Sequence, residues 1–422
     1  MKIKPLNILV SAFACGPKYG SEIGMGWNWV INLAQHCNLT VITEAGFKKD
    51  IDEILPTINL KYIPVFHYID IGDKGRALFW KQGSFSFYKY YKRWHLEAYN
   101  LSKTLIVSNN FDLVHQLNML GYREPGYLWK ITTLPTIWGP IGGYAIMPWK
   151  YMSIIGYKSA VFFSLKNIYN LFQMYTLNRV KNAIASFDFL IASTKETSIR
   201  INELYGKQSI TINETGSKNE TSILKNKFEN EKLILIWCGL ITGRKALPIA
   251  LQSLSKIVNK NGFELHILGD GPDKEYCFDL AKKLAIETQC IWHGQVSSSA
   301  VLEQMKHSDL LFFTSLVEGT PHVVLEAIAT GLPIICHDSC GHGAVVDDTC
   351  GRKIPVVSPK VSCDLFSKVI EELMNDRSKI QILSKGAIVK SKELSWESKA
   401  EQMVGIYRQT ILDNHKKYSN SN

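Results

Sequence analysis

The sequence lacks a hydrophobic run long enough to cross a membrane. A spanning helix needs about 18 to 20 mostly apolar residues, and the longest apolar stretch, 151–165, is shorter and contains Lys158. Lys2 and Lys4 precede an apolar run, as in a signal peptide, but that run is short and leads directly into a glycine-rich stretch. We therefore expect a chain without membrane spans that works in the cytoplasm.

Cysteine pairs and acidic charge are also scarce. The nine cysteines are scattered and odd in number, which favours reduced thiols. The spacing of Cys336, Cys340 and His342 matches no zinc pattern, so we expect no bound metal. Asp and Glu number 38 against 48 Lys and Arg, a formal net charge of +10. That balance favours an anionic partner such as a nucleotide or an anionic membrane; because no nucleic-acid motif accompanies it, we expect no nucleic acid.

The stretch from Glu318 to Glu326 carries the strongest functional signal. An apolar run at 309–315 predicts a buried strand before it, and residues 323–329 predict a helix after it. The N–H groups and positive dipole end of such a helix suit a pyrophosphate. Glu318 would lie on the loop at that end, while Glu326, about two turns along the helix, could accept from two sugar hydroxyls. The same spacing also fits a loop acid and a solvated helix acid without a function.

The residues around these carboxylates resemble the signature of retaining GT-B glycosyltransferases of sequence family four, the glycosyl transferases group 1. The matching segments are Gly-Thr-Pro after Glu318 and Ala-Thr-Gly-Leu-Pro-Ile-Ile at 329–335. The resemblance implies that Glu326 holds the nucleotide ribose, that Glu318 contacts the donor sugar, and that backbone N–H groups beside it bind the pyrophosphate. The further donor-binding residues that it implies are Gly319, Thr320, Pro321, His322 and Val323.

The N-terminal region predicts a βαβ unit with a glycine-rich turn. Residues 7–13 and 39–43 predict strands, and a helix is predicted from about Trp27 to His36. The glycines of the turn at 15–26 do not follow Gly-x-Gly-x-x-Gly, which argues against a dinucleotide oxidoreductase. The turn instead resembles a glycosyltransferase loop that faces the donor phosphates and the acceptor. The residues concerned are Gly20, Ser21, Glu22 and Gly24.

Two further features of the first half are candidate site residues. His115 ends a strand predicted over 111–116, and open α/β sheets bind ligands at the carboxyl ends of their strands. A lone histidine there can equally be structural, but the resemblance implies that it reaches the donor sugar. A Gly-Pro-x-Gly-Gly loop contains Gly139, Gly142 and Gly143. It resembles an acceptor-side loop, although a plain tight turn would need the same backbone freedom.

The loop after the strand predicted over 233–238 supplies two cations. In the family an Arg follows the first Gly of this loop and a Lys comes a few residues later, both on the donor phosphates. Lys245 matches the lysine, whereas Leu240 stands where the Arg is expected. Arg244 is the candidate to compensate, with a solvated turn as the alternative. Gly269, in a strand and turn similar to the family's, would let the chain pass near the nucleotide.

The resemblance implies an α/β fold of the GT-B class, with two facing Rossmann-like domains, parallel sheets and an interdomain cleft. The predicted divisions are 1–210 for the acceptor-side domain, 211–231 for a polar linker and 232–394 for the donor-nucleotide-binding domain. Residues 395–422 would form a helix crossing back to the first domain and a polar tail.

The predicted activity is transfer of a sugar, with retention, from a UDP- or GDP-linked nucleotide-sugar to a hydroxyl of a glycan or lipid-linked glycan. Such a reaction would belong to cell-surface polysaccharide or glycolipid biosynthesis. Glu318, His115 and Lys245 are the implied catalytic residues, and no metal is required because Arg244, Lys245 and a helix N-terminus would stabilise the leaving diphosphate. The alternative is a catalytically inactive sugar-nucleotide-binding subunit of the same fold, which Leu240 supports.

Aromatic and basic residues interleave at 76–93 and at 151–181. They predict a reversible, peripheral association with anionic membranes through the first domain. For 76–99 a long helix that buries its aromatics and exposes its lysines is the competing interpretation, and we favour it.

Overall fold

The computed structural model describes residues 4–78, 84–217 and 231–419. The chain forms two compact units. The first comprises Met1–Tyr144, Gln173–Glu214 and Trp396–Asn422, and the second comprises Ala145–Phe172 and Thr215–Ser395.

The first unit is built on a seven-stranded parallel sheet with the order β3-β2-β1-β4-β5-β6-β7. The strands are β1 (Asn7–Ala12), β2 (Asn38–Glu44), β3 (Val65–Ile69), β4 (Leu113–Asn118), β5 (Thr136–Ile141), β6 (Phe189–Ala192) and β7 (Ile210–Thr211). β1, β4 and β5 are almost fully buried, as expected for central strands of a parallel sheet covered on both faces.

Helices connect these strands. In chain order they are α1 (Ser21–Leu33), α2 (Lys48–Ile54), α3 (Gly72–Ala77), α4 (Phe85–Ser108), α5 (Tyr157–Thr176), α6 (Asn178–Ser186) and α7 (Lys195–Tyr205). Local sequence signals set several ends. The Ser84 hydroxyl accepts from the Phe87 N–H at the start of α4, the Thr194 side chain caps α7, and Gly206 ends α7 in the left-handed conformation.

The second unit repeats this plan with a six-stranded parallel sheet of order β10-β9-β8-β11-β12-β13. The strands are β8 (Leu233–Cys238), β9 (Phe263–Leu268), β10 (Cys290–Gly294), β11 (Leu310–Phe313), β12 (Ile334–His337) and β13 (Gly351–Ile354). The helices are α8 (Leu247–Ser255), α9 (Lys274–Lys283), α10 (Ser298–His307), α11 (His322–Ala329), α12 (Cys340–Val345), α13 (Pro359–Asn375) and α14 (Arg377–Glu393). The strand order reverses between β8 and β11, which places a ligand crevice at their carboxyl ends.

The division into units corrects the expected domain boundary for residues 145–172. They were expected in the first domain but belong to the second unit, because their apolar side chains pack into its core. The Tyr151 and Ser362 hydroxyls are 2.7 Å apart, and the Ser159 hydroxyl donates to Asp273 at 2.8 Å.

The last helix, α15 (Trp396–Ser419), belongs to the first unit although it follows the second in sequence. Its Trp396 ring packs edge-on against Trp29 of α1. The linker expected at 211–231 lies partly outside the described residues. Its described part begins at Thr211, within β7, and Glu214 accepts from the Trp29 indole N–H at 2.9 Å through its backbone carbonyl. No helix in the described ranges is long and apolar enough to cross a membrane.

Candidate active site

The predicted loop between strand and helix in the second unit is present. β11 ends at Phe313, and α11 begins at His322 with Pro321 as its N-cap residue. Thr320 is buried, and the loop is tightly packed at that point. A Cβ on Gly341 of α12 would lie 2.4 Å from the Gly319 carbonyl oxygen. The glycine at the start of α12 therefore allows that helix to pack directly against the loop that carries the first helical turn of α11.

Glu318 lies on this loop and joins two cations. Its Oε1 atom is 2.7 Å from Lys245 Nζ and also pairs with Arg244 Nη1. The Ser315 hydroxyl donates to the same carboxylate oxygen at 2.9 Å. Ser315 was not predicted as a site residue, and only its place directly after an apolar strand could have indicated it. We call Arg244, Lys245, Ser315 and Glu318 the charge cluster.

Burial and charge act in opposite directions on the cluster. Burial would raise the pKa of Glu318, but the Lys245 and Arg244 charges outweigh it, so the pKa lies below its usual value. Burial lowers the pKa of Lys245, and Glu318 opposes that shift. Lys245 is 8% exposed. With all three groups ionised, the cluster carries one net positive charge beside the N-terminus of α11, which favours an anionic ligand.

The charge cluster contains an arginine, whereas Leu240 stands where the family pattern has one. Leu240 is more than half exposed, whereas Arg244 reaches the same carboxylate oxygen as Lys245. The 3-10 turn Gly243–Lys245 brings both cations together. Ser315 also donates to the Arg244 carbonyl oxygen, at 3.2 Å. Arg244 therefore lies beside Lys245, and its role as a second phosphate-binding cation stays a prediction.

A cavity of about 260 Å³ lies at the carboxyl ends of β8 and β9. Its lining residues are Cys238, Gly239, Leu240, Leu268, Gly269, Asp270, Gln295, Val296 and Val301. Gly269 was expected here for a close ligand approach, but the crowding that it relieves comes from backbone: a Cβ would lie 1.9 Å from the Gly239 carbonyl oxygen. Gln295, Val296 and Val301 were not predicted.

Glu326 lies in α11 and is partly buried. Burial raises the pKa of Cys238 to about 11, and the Glu326 charge adds to that shift. Cys238 lines the cavity but Glu326 does not, and the contact of Glu326 with the ribose stays a prediction.

The glycine-rich turn of the first unit is shorter than expected. α1 starts at Ser21, six residues before the predicted Trp27, with Gly20 as its N-cap residue. Gly24 and Gly26 are therefore helical, and their role is packing. A Cβ on Gly24 would lie 2.3 Å from the Tyr19 carbonyl oxygen, and one on Gly26 would lie 2.1 Å from the Ala14 carbonyl oxygen.

Glu22 stands out among the four residues predicted in this turn. Its Oε1 atom accepts from the Leu120 N–H at 3.1 Å, while its Oε2 atom is buried without a hydrogen-bond partner in the described residues. Burial raises its pKa to about 7; the Leu120 N–H opposes this shift and Glu214 adds to it. A carboxyl group with such a pKa can hold or release a proton near neutrality.

His115 has a structural role within the first unit. The side chain is fully buried, with Nδ1 2.7 Å from the Tyr407 hydroxyl of α15 and Nε2 2.8 Å from the Gly139 carbonyl oxygen. Burial lowers its pKa to about 4. Both ring nitrogens have partners within the first unit, so His115 fixes α15 against the sheet, and its contact with a donor sugar stays a prediction. Strand β4 also continues past it to Asn118.

The Gly-Pro-x-Gly-Gly segment is partly strand and partly loop. Gly139 lies within β5, and its Cβ would meet the Ile191 carbonyl oxygen at 2.3 Å. Gly142, after the strand, donates to the Leu120 carbonyl oxygen at 2.7 Å. Gly143 is exposed with φ +87. Because Leu120 also bonds to Glu22, the ends of β4 and β5 and the start of α1 meet here.

In the described ranges, no group of three or more His, Cys, Asp or Glu side chains could hold a metal ion. The Asp-x-Asp spacing at Asp50–Asp52 lies in α2, where Asp50 pairs with Lys18 at 3.0 Å and Asp52 pairs with Lys48. The independence from metal stays a prediction.

Comparison with known proteins identifies the fold class first. The structure of Anabaena Alr3699/HepE in complex with UDP matches with a TM-score of 0.59 and 14% identity, covering 96% of this chain and 100% of that chain. The apo form of the lipopolysaccharide outer core galactosyltransferase WaaB matches with a TM-score of 0.61 and 16% identity, over 94% of this chain and 99% of that chain. At such identities the likeness shows the fold, which is the predicted GT-B class with two Rossmann-like units.

The sequence of the second unit matches a family model. Residues 218–390 are similar to the Glycosyl transferases group 1 family. The predicted resemblance is thereby confirmed. The lipopolysaccharide 1,6-galactosyltransferase of Escherichia coli (strain K12) is 32% identical over 139 residues, 32% of this chain and 38% of that protein. The chain thus matches less than half the length of that curated relative.

Proposed function

We propose that this protein transfers a sugar from a nucleotide-sugar to a hydroxyl group of a glycan or lipid-linked glycan, with retention of configuration and without a metal. The observation that carries the proposal is the charge cluster at the N-terminus of α11, next to a cavity of about 260 Å³. The diphosphate of a donor would bind at the charge cluster, and its nucleoside would occupy the cavity.

The donor would bind along α11. Arg244 and Lys245 would contact the two phosphates, with the N–H groups of the first turn of α11, from His322 and Val323, adding donors. Glu326 would accept from the ribose hydroxyls at the edge of the cavity. Glu318 would orient the sugar while it keeps Lys245 charged. The structural neighbour from Anabaena is a complex with UDP, which supports a uridine donor over a guanosine one.

In the reaction the bond from the anomeric carbon to the phosphate oxygen breaks, and a bond to the acceptor oxygen forms on the same face. The acceptor proton passes to the departing phosphate. Negative charge grows on the diphosphate as the bond breaks, so fixed cations and amide dipoles lower the barrier more than they strengthen ground-state binding.

The first unit would contribute to acceptor binding through the start of α1 and the loop after β5. Glu22, with a pKa near 7, is the titratable group at this place, and Gly142 and Gly143 leave room for an approaching hydroxyl. His115 has no part in this proposal.

A donor panel tests the activity against the inactive-subunit alternative. Purified protein is incubated with UDP- and GDP-linked hexoses and hexosamines without acceptor, and free nucleoside diphosphate is measured. Slow release from one donor, together with a raised melting temperature in its presence, is expected. Thermal stabilisation without any release, even with added glycan acceptors, would favour the inactive subunit instead.

A further inference from the structure

Helix α5 (Tyr157–Thr176) has polar residues among its buried positions and apolar residues on its exposed face. Its buried positions at Phe163, Asn167, Asn170 and Met174 follow helical spacing, and two of these four are polar. The Asn167 side chain bonds to both backbone groups of Met147, accepting from the N–H at 3.0 Å and donating to the carbonyl at 2.7 Å. Polar side chains thus fix the inner face, which is the reverse of a helix on the surface of a soluble domain.

The outer face of the same helix is apolar and exposed. Within the part that belongs to the second unit, the exposed fraction runs from 43% for Val161 to 85% for Tyr157. The residues of this apolar face are Tyr157, Val161, Phe162, Leu165, Ile168, Tyr169 and Phe172. Single exposed apolar residues are ordinary, but a contiguous group on one helix marks an interaction surface.

The charge around this face has one sign. The sequence contains no Asp or Glu from residue 125 to residue 187, and that stretch carries six Lys or Arg residues. Lys158 and Lys166 lie in α5 itself and are exposed. The Lys166 ammonium lies 5.9 Å from the centroid of the Phe162 ring, so a cation lies over an aromatic residue of the apolar face. Apolar, aromatic and cationic groups together are the composition of helices that lie in a membrane interface.

We propose that the apolar face of α5 docks onto the surface of an anionic bilayer. The aromatic and aliphatic side chains would enter the boundary between headgroups and acyl chains, and Lys158 and Lys166 would contact lipid phosphates. The inference rests on the proposed function and extends it, because it states where the enzyme would meet lipid-linked acceptors.

The two segments that were expected to contact a membrane differ in how far they expose their aromatic side chains. It was predicted in the first domain through residues 76–93 and 151–181, but Phe87, Tyr91 and Trp94 of α4 are buried. Lys89 and Lys92 on the same helix are exposed. These three aromatics of α4 are therefore core, as the competing interpretation held, although Phe85 at the start of the helix is exposed; the group of exposed aromatics on one face belongs to α5.

Vesicle sedimentation of the full chain tests the proposal without any turnover, so it can fail independently of the proposed function. Vesicles of phosphatidylcholine, with or without phosphatidylglycerol, are compared at low and high salt. The test variant is Leu165→Ser/Ile168→Ser/Phe172→Ser. The matched control is Ile382→Ser/Val389→Ser/Leu412→Ser, which removes three apolar residues of similar exposure from other helices. Melting curves establish that both variants are folded.

Wild type and control are expected to sediment with anionic vesicles at low salt, and the α5 variant to bind more than about tenfold more weakly. Lys158→Gln/Lys166→Gln should weaken binding to anionic vesicles and reduce its salt dependence. Equal binding by the α5 variant and wild type, or no wild-type binding to anionic vesicles, would overturn the proposal. So would wild-type self-association that the α5 substitutions abolish without any change in vesicle binding.

Discussion

Glu318→Gln removes the carboxylate that joins the two cations of the charge cluster while keeping the shape of the side chain. Lys245 would then lie almost fully buried without its 2.7 Å ionic partner, although the amide oxygen could still accept from it and from Ser315. Arg244 is about one third exposed, so water would replace much of what it loses. The main energetic consequence therefore falls on Lys245.

Removing one partner of a buried ion pair destabilises a protein by about 3 to 5 kcal/mol. Because the amide keeps a hydrogen bond and Arg244 is partly solvated, we expect about 2 kcal/mol for Glu318→Gln. For a unit of this size that corresponds to a melting temperature roughly 4 to 8 °C lower. The Glu318 pKa is depressed in the folded state, so its contribution is complete above the unfolded value of about 4.3 and is lost as the pH falls through the folded value.

Differential scanning calorimetry at pH 7.5 and at acidic pH measures this effect. The matched control is Glu303→Gln in α10, an exposed glutamate of the same unit that also pairs with two basic side chains, Lys306 and His307. An exposed pair contributes little, so the control should melt within about 1 °C of wild type. If both variants melt at the same temperature at pH 7.5, the ion pairs of the charge cluster do not contribute the stabilisation expected of them.

Three further predictions concern single residues. Glu326→Ala should weaken binding of the nucleoside diphosphate by about 1.5 to 3 kcal/mol, through loss of a charge-assisted contact to ribose, and unchanged affinity by calorimetry in a folded variant would exclude that role. Folding raises the pKa of Glu22 from 4.5 to about 7, so the protonated form is favoured and the stability falls as the pH rises between those values. At pH 8, Glu22→Gln should therefore be more stable than wild type by about 2 kcal/mol and melt at a higher temperature. A stability difference that does not depend on pH would contradict this. Tyr407→Phe should lower stability by about 1 to 3 kcal/mol, because it takes the hydroxyl from His115, without changing turnover per folded molecule; a specific loss of turnover would restore a catalytic role for His115.

The second unit could be predicted well from the sequence because its signals are local. The apolar run before Glu318 and the Gly-Thr-Pro before α11 specify strand, loop and helix within about twenty residues. Lys245 lies close in sequence to the end of β8. That Arg244 and Lys245 share one oxygen of Glu318 could not be predicted, because it depends on two loops more than seventy residues apart in sequence meeting in space.

The first unit was harder because tertiary packing overrides local signals there. The glycines at 24 and 26 predicted a loop, since glycine is unfavourable in helices, yet close packing against backbone oxygens requires them within α1. The structural partner of His115 could not be predicted, because Tyr407 lies 292 residues away in the sequence. Aromatic and basic residues interleave in both α4 and α5, so the sequence pattern alone could not show that α4 buries its aromatics while α5 exposes them.

The central claim is that the charge cluster performs metal-independent transfer of a sugar from a nucleotide-sugar. The most direct measurement is release of nucleoside diphosphate from the preferred donor, in EDTA, by wild type, Lys245→Gln and the exposed-lysine control Lys306→Gln. Our account predicts equal turnover by wild type with and without EDTA, wild-type turnover by the control, and loss of turnover in folded Lys245→Gln. Turnover that EDTA abolishes and a divalent cation restores, or full turnover by Lys245→Gln, would contradict it.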